Sequence, residues 1–175
     1  MKHNYAYMGF IAALAVLVVA GAIGMMAFNA GAQDNSKDKS KNAWTHRCSG
    51  EGENKSCEIA QRLSVKESGQ RVVELAVTRL PEKDITRAVI VLPLGVAVQP
   101  GIKLRIDDNE ESYSAGISHC LQDGCYAYLE IPDKLLNAMK MGKTARLAMA
   151  THQGKKMTIP MSLMGFTAQY NKLTQ

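Results

Sequence analysis

Hydrophobic and polar residues alternate with a period of two through most of the chain beyond residue 44. In Arg71 to Thr78, Val73, Leu75 and Val77 fall on one side and Val72, Glu74 and Ala76 on the other, as in a strand with one buried face. The same pattern predicts strands over Glu58 to Val65, Ala88 to Val91, Ile102 to Ile106, Tyr126 to Ile131, Ala145 to Ala150 and Met157 to Pro160. Turn signals separate them at Ser68-Gly69, Gln99-Pro100-Gly101, Asp107-Asp108-Asn109 and Gln153-Gly154, a spacing that suits an antiparallel sandwich or barrel. Leu92-Pro93-Leu94-Gly95 interrupts the longest apolar run of the domain, because proline cannot donate to a central ladder and marks a bend, bulge or edge.

Two segments switch to helical spacing. Asp133 is expected to cap a helix over Lys134 to Lys140, with Leu135, Leu136 and Met139 on one face and Gly142 as the stop. A second helix is predicted over Ser162 to Asn171, where Leu163, Phe166 and Tyr170 share a side and Gly165 costs about 1 kcal/mol relative to alanine. The fold class expected for residues 44–175 is therefore mainly β: an antiparallel β-sandwich or barrel-like domain with two short helices.

The N-terminal residues follow a different pattern. From Gly9 to Phe28 no charged or strongly polar side chain interrupts the apolar run, and at about 1.5 Å per residue such a helix spans the roughly 30 Å hydrocarbon layer. Residues 1–32 thus read as a signal peptide or a membrane anchor. Lys2 precedes the run, and Ala30, Gly31 and Ala32 follow it as an A-x-A cleavage pattern would. The run exceeds a typical signal core, so cleaved and uncleaved forms both stand as expectations. Lys37, Lys39 and Lys41 lie beyond the span and oppose export by the positive-inside rule. We nevertheless expect an exported domain, periplasmic or anchored to the inner membrane, because the leader is at the extreme N-terminus and a disulfide-like cysteine pattern follows. Residues 33–43, QDNSKDKSKNA, carry no large apolar side chain and read as a flexible polar tether.

Charge narrows the partners only slightly. The chain has 21 Lys and Arg against 16 acids; removing Lys2 with the leader leaves 20 against 16, a net charge of +4. Basic residues are interspersed with acids, and three Phe and one Trp do not supply the stacking rings of a nucleic-acid groove, so no nucleic-acid partner is expected. The mild charge reads as a solvated face rather than a lipid- or polysaccharide-binding one. The ten methionines read as leader and core filler rather than metal ligands.

Four cysteines carry most of the remaining information. Cys48 and Cys57 bracket the polar loop SGEGENKS, and Cys120 and Cys125 bracket LQDG. Three connectivities are formally open. Local pairing is favoured because it needs no long-range coincidence. A redox centre normally uses C-x-x-C at a helix start, which neither spacing provides. Zinc could recruit His46, Cys48, His119 and Cys120, but neighbouring strand positions point to opposite faces, so His119 and Cys120 make an awkward tetrahedral pair. C-x-x-C-H is absent, so covalent haem is not expected.

Catalytic motifs are missing as well. His46, His119 and His152 are the candidate bases beyond the leader, with no G-x-S-x-G, H-E-x-x-H or phosphate-cradling glycine loop. Asp107-Asp108-Asn109-Glu110-Glu111 lacks the alternation and glycine of an EF-hand and reads as an acidic turn. No enzyme, cofactor or metal site is expected.

Several blocks, taken in order, carry a family resemblance. Trp44 is followed by Cys48, then by Val91-Leu92-Pro93-Leu94-Gly95-Val96, Pro100-Gly101 and Ile106-Asp107. Cys120-Leu121-Gln122-Asp123-Gly124-Cys125 comes next, and Ile159-Pro160-Met161-Ser162-Leu163-Met164-Gly165-Phe166-Thr167-Ala168 closes the set. Together they resemble the invasion-associated locus B family of bacterial envelope proteins, named for a member linked to host-cell invasion. The resemblance covers nearly all of residues 44–175, implies an envelope location and supplies no catalytic residue. Pro93, Gly95, Gly124 and Gly165 have fold-making readings of their own, which places function on surface loops. The expectation is a non-enzymatic envelope protein supporting host-cell contact or envelope integrity, with the membrane bound through the leader and an unknown envelope or host-surface protein as partner. A periplasmic thiol-disulfide redox protein and a small-ligand-binding β domain are the alternatives.

Overall fold

A computed structural model of the chain describes residues 42–52 and 55–174. The leader and residues 33–41 of the expected tether lie outside the described residues. Among the described residues no helix is long and apolar enough to cross a membrane.

The strands, in chain order, are β1 (Thr45–Ser49), β2 (Ser56–Ser64), β3 (Arg71–Leu80), β4 (Ile85–Leu92) and β5 (Ile102–Ile106). They continue with β6 (Tyr113–Ala115), β7 (Ile117–Leu121), β8 (Gly124–Glu130), β9 (Thr144–Ala150) and β10 (Lys156–Ser162). Helix α1 (Asp133–Met141) joins β8 to β9, and α2 (Phe166–Tyr170) follows β10 and runs into a 3-10 turn, Asn171–Thr174. A six-stranded sheet has the order β1-β2-β3-β4-β8-β7, and a four-stranded sheet the order β10-β9-β5-β6. Every pairing is antiparallel. Two separate sheets make the fold a sandwich rather than a closed barrel.

The core lies between the sheets and follows the period-two rows. Val73, Leu75 and Val77 of β3 are fully buried, beside Ile59 of β2, Ile90 of β4 and Ala127 of β8. Ile102 and Leu104 of β5, Ala145 and Leu147 of β9, and Met161 of β10 face them from the second sheet. Leu135, Leu136 and Met139 of α1 close one side. A single apolar cluster therefore joins residues from Trp44 to Tyr170, and every member lies within the compact unit Asp34–Gln175.

Trp44 clasps the two sheets. Its ring is 2 % exposed and meets Phe166 edge to face at 5.0 Å, while its indole N–H donates to the Ser162 carbonyl at 2.9 Å. The Gln61 amide donates to both the Ala43 and Ser162 carbonyls, and the Ala43 N–H donates to the Met164 carbonyl at 3.2 Å. Asn42 and Ala43, expected to end a solvated tether, belong instead to the fold: the Asn42 side chain accepts from the Trp44 N–H and Ala43 packs on the core.

Several sequence expectations need correction. Strands β1, β6 and β7 were not predicted; β1 and β7 lie at the two edges of the larger sheet, mostly exposed, and so lack an alternating apolar row. Asp133 is not a cap, since Pro132 occupies that position without a side-chain bond; Asp133 opens the first turn, where its charge suits the helix dipole. The second helix is shorter than expected because Ser162 still pairs with Thr144 in the sheet. Gly165 precedes this helix at φ 82°, a left-handed conformation that ends the extended chain before α2 begins. Finally, Glu74 and Ala76 do point away from the core, yet each is buried, and Arg47 of β1 and Arg71 of β3 both approach the Glu74 carboxylate on that face.

Replacing Trp44 by alanine removes both the wedge and the indole donor. Trp44→Ala is expected to lower unfolding free energy by about 3–5 kcal/mol, read as a fall in urea midpoint with an unchanged m-value. A loss under about 1 kcal/mol would show that the two sheets do not depend on this clasp.

Candidate functional site

The cysteines sit at the two ends of one sheet. Cys48 on β1 lies directly opposite Cys57 on β2, and Cys120 on β7 directly opposite Cys125 on β8. The sulfurs are 2.07 and 2.02 Å apart, and no described cysteine is free. Each pair joins an edge strand to its only neighbour, with β3 and β4 between the two stapled hairpins.

This placement separates the residues of the zinc alternative, because His46 and Cys48 belong to one edge and His119 and Cys120 to the other. His46, Cys48 and Cys57 do converge, with ligand atoms within 4.8 Å and His46 Nε2 at 3.8 Å from Cys48 Sγ. Sulfurs bonded to each other are not thiolates, however, and zinc binds thiolate. The three candidate bases are also dispersed. His46 is on β1, His119 Nδ1 meets the adjacent Ser118 hydroxyl at 3.3 Å, and His152 Nδ1 meets the Gly95 carbonyl at 3.1 Å. Among the described residues none has a carboxylate partner that would orient a general base.

The acidic run from 107 to 111 is absorbed by its own fold. Asp107 accepts from the Lys143 and Thr144 backbone N–H groups, Asp108 pairs with Arg146, and Glu111 with Lys134 at 2.8 Å. Lys134, together with Tyr113, holds the Glu111 carboxyl below its usual range.

The outward face of the six-stranded sheet carries an arrangement that sequence reasoning missed. Glu74, 8 % exposed at its side chain, accepts from Arg47 at 2.7 Å and lies 3.8 Å from Arg71. Arg71 reaches Asp123 in the β7–β8 turn, and Asp123 also accepts from the Tyr126 hydroxyl at 2.6 Å. That hydroxyl and the Arg71 guanidinium hold Asp123 below the usual carboxylate range, while the carboxylate pushes the Tyr126 phenol up. His119 stacks on Tyr126 at 5.0 Å with near-parallel rings, and Tyr128 lies beside it, 44 % exposed. Alternation placed Glu74 opposite the Val73, Leu75 and Val77 row, but only cross-strand register shows which charges meet. Gly124, at φ 151°, lets this turn pass close to the Leu92 carbonyl, where a side chain would collide.

These features define a small two-sheet β domain with cysteine-bridged edges and no assembled catalytic centre among the described residues. Residues 44–174 match the family model described as Invasion associated locus B (IalB) protein, and the chain belongs to that family. An Invasion protein B homolog of Brucella abortus (strain 2308) is 26 % identical over 131 residues, covering 74 % of this chain and 75 % of that protein. Invasion protein B of Bartonella bacilliformis is 23 % identical over 134 residues, 75 % of this chain and 71 % of its own length. The crystal structure of invasion associated protein b from Bartonella henselae shares the fold, with TM-score 0.69 at 20 % identity over 77 % of this chain and 92 % of that one.

Asp123 gives a pH prediction with a definite sign. Its carboxyl titrates lower in the folded chain than in an unfolded one, so its contribution to stability is present above the unfolded value and is lost as pH falls through the folded value. In an NMR titration, Tyr126→Phe is expected to raise the Asp123 value toward that of an unstructured peptide. An unchanged value would remove the phenol as the cause.

Proposed function

We propose that the chain is an exported, non-enzymatic interaction protein of the bacterial envelope, with its leader in or processed at the inner membrane and its β domain on the periplasmic side. The domain would act by presenting its surface to an envelope or host-surface protein, in support of envelope integrity or host-cell contact. The observation that carries this reading is that all four cysteines stand as two directly opposed pairs at the two edges of one sheet. Such pairs persist in oxidising compartments and are rare where thiols are kept reduced. Family membership and the names of the Brucella and Bartonella relatives support the invasion-related part of the proposal. Dispersed histidines support the non-enzymatic part.

Compartment and chemistry are tested separately. An alkaline-phosphatase fusion after Lys41 is expected to be active; an inactive fusion would overturn export. Native and denatured protein from the cell envelope is expected to resist alkylation until a reductant is added. A reactive native thiol pair would replace this reading with a thiol-disulfide redox one.

The bridges also have an energetic consequence. In the chain-entropy model, closing loops with sequence separations of 9 and 5 adds roughly 2 to 3 kcal/mol each. The double variant Cys48→Ser with Cys57→Ser is expected to lose about that much in urea unfolding. An equal stability would mean that the pair is not bonded in the isolated protein.

A further inference from the structure

We infer that the end of the sandwich beside the Cys48–Cys57 pair is a binding site for a ligand bearing a phosphate group. A groove of about 850 Å³ opens there. Its walls are the stapled β1–β2 edge, the β3–β4 connection at Pro81–Lys83 and the C-terminal 3-10 turn. The volume falls within the range of small-molecule sites.

Charge is concentrated in this groove. Lys55, Arg79, Lys83, Arg87 and Lys172 line it, and Glu82 is the one acid among the described lining residues. Arg79 is held by Asp84, and Arg87 lies 3.8 Å from Glu130, so both guanidinium groups already face carboxylates. Lys55, Lys83 and Lys172 enter no ion pair among the described residues. The net charge of the chain is only +5, so a group of three lysines around one cleft is a local feature rather than the average surface.

The donor chemistry selects the ligand. Unpaired ammonium groups are mobile point charges, suited to phosphate and not to rigid bidentate recognition of a carboxylate. In water each ammonium attracts an anion only weakly, so a singly charged ion gains little, whereas a phosphate dianion can draw on several at once. His46 adds a ring nitrogen at the β1 wall. Leu80, Pro81 and Leu173 give the groove apolar surface, so the phosphate should be attached to a carbon skeleton. Among the described residues no Phe, Tyr or Trp lines the groove, so its recognition rests on charge rather than on a stacking platform. The shared chemistry is a phosphomonoester, whether on a membrane lipid or on a soluble phosphorylated molecule.

The test uses the compact unit from Asp34 to Gln175, which contains the whole described core. Glycerol 3-phosphate, a phosphomonoester, added to isotope-labelled protein is expected to shift amide signals at Ser56, Leu80, Lys83 and Leu173 saturably. Lys83→Glu with Lys172→Glu is expected to weaken this binding about tenfold, equivalent to ~1.4 kcal/mol. Lys66→Glu with Lys156→Glu changes the net charge equally but lies outside the groove and is expected to leave binding within about twofold. All four lysines are exposed, so neither double variant disturbs the core. Flotation with phosphatidylcholine vesicles containing phosphatidic acid, abolished by the groove variant, assigns the phosphate to a lipid headgroup. Glycerol 3-phosphate binding without flotation assigns it to a soluble ligand. Shifts that do not localise to the groove, or equal weakening by both double variants, would overturn the site.

Discussion

The fold depends on Trp44 being held at the seam between its two sheets. A sheet is buried on one face only if something covers it, and here a six-stranded sheet is covered by a four-stranded one plus α1. Two sheets joined only by side-chain packing have no hydrogen bonds to fix their relative position. The Trp44 indole and the Gln61 amide, both donating to the Ser162 carbonyl, supply them where β10 ends. Phe166 packs edge-on against the same indole, and Tyr170, stacked on Phe166, bonds Thr86 of β4 at 2.8 Å. One continuous link thus runs from the start of β1 through α2 to the middle of the larger sheet.

An open sandwich has four sheet edges, and each is marked by a cysteine bridge, a proline or extreme shortness. At one end of the larger sheet β1 is bonded to β2 through Cys48 and Cys57. At the other, β7 is bonded to β8 through Cys120 and Cys125, and its register shifts between Ile117 and His119. In the smaller sheet β10 carries Pro160, which cannot donate a ladder bond and is tolerated because the strand is an edge. The fourth edge, β6, is only three residues long. The cysteines therefore stand at the two edges that lack a proline or extreme shortness.

How much of this was legible in the sequence follows from what each residue faces. Strands β3, β4, β5 and β9 were readable because one side of each packs on the core and repeats every second residue. β1 and β7 were not, because their side chains are mostly exposed and no hydrophobic row records them. Gly165 was legible as a weak point in a helix, but not as the left-handed residue that precedes α2. The Glu74 cluster and the lysine groove were out of reach for one reason. Arg47, Arg71 and Asp123, like Lys55, Lys83 and Lys172, are far apart in sequence and meet only through sheet order and register.

The same register links the stapled edge to the groove at the end of the sandwich. Cys57 and Cys48 lie in its wall, and Lys55 comes two residues before Cys57 in the loop that the pair closes. Thr78 ties the opposite side of β2 to this position, its hydroxyl donating to the Cys57 carbonyl at 2.9 Å. A mobile β1–β2 hairpin would have to order Lys55 and His46 anew whenever an anion arrived, at an entropic cost charged against binding. With the hairpin closed by a covalent pair and its partner strand fixed by β3, that ordering is completed during folding. The Cys48–Cys57 bridge thus serves the edge and the groove by one physical effect, the removal of alternative conformations before a ligand is met.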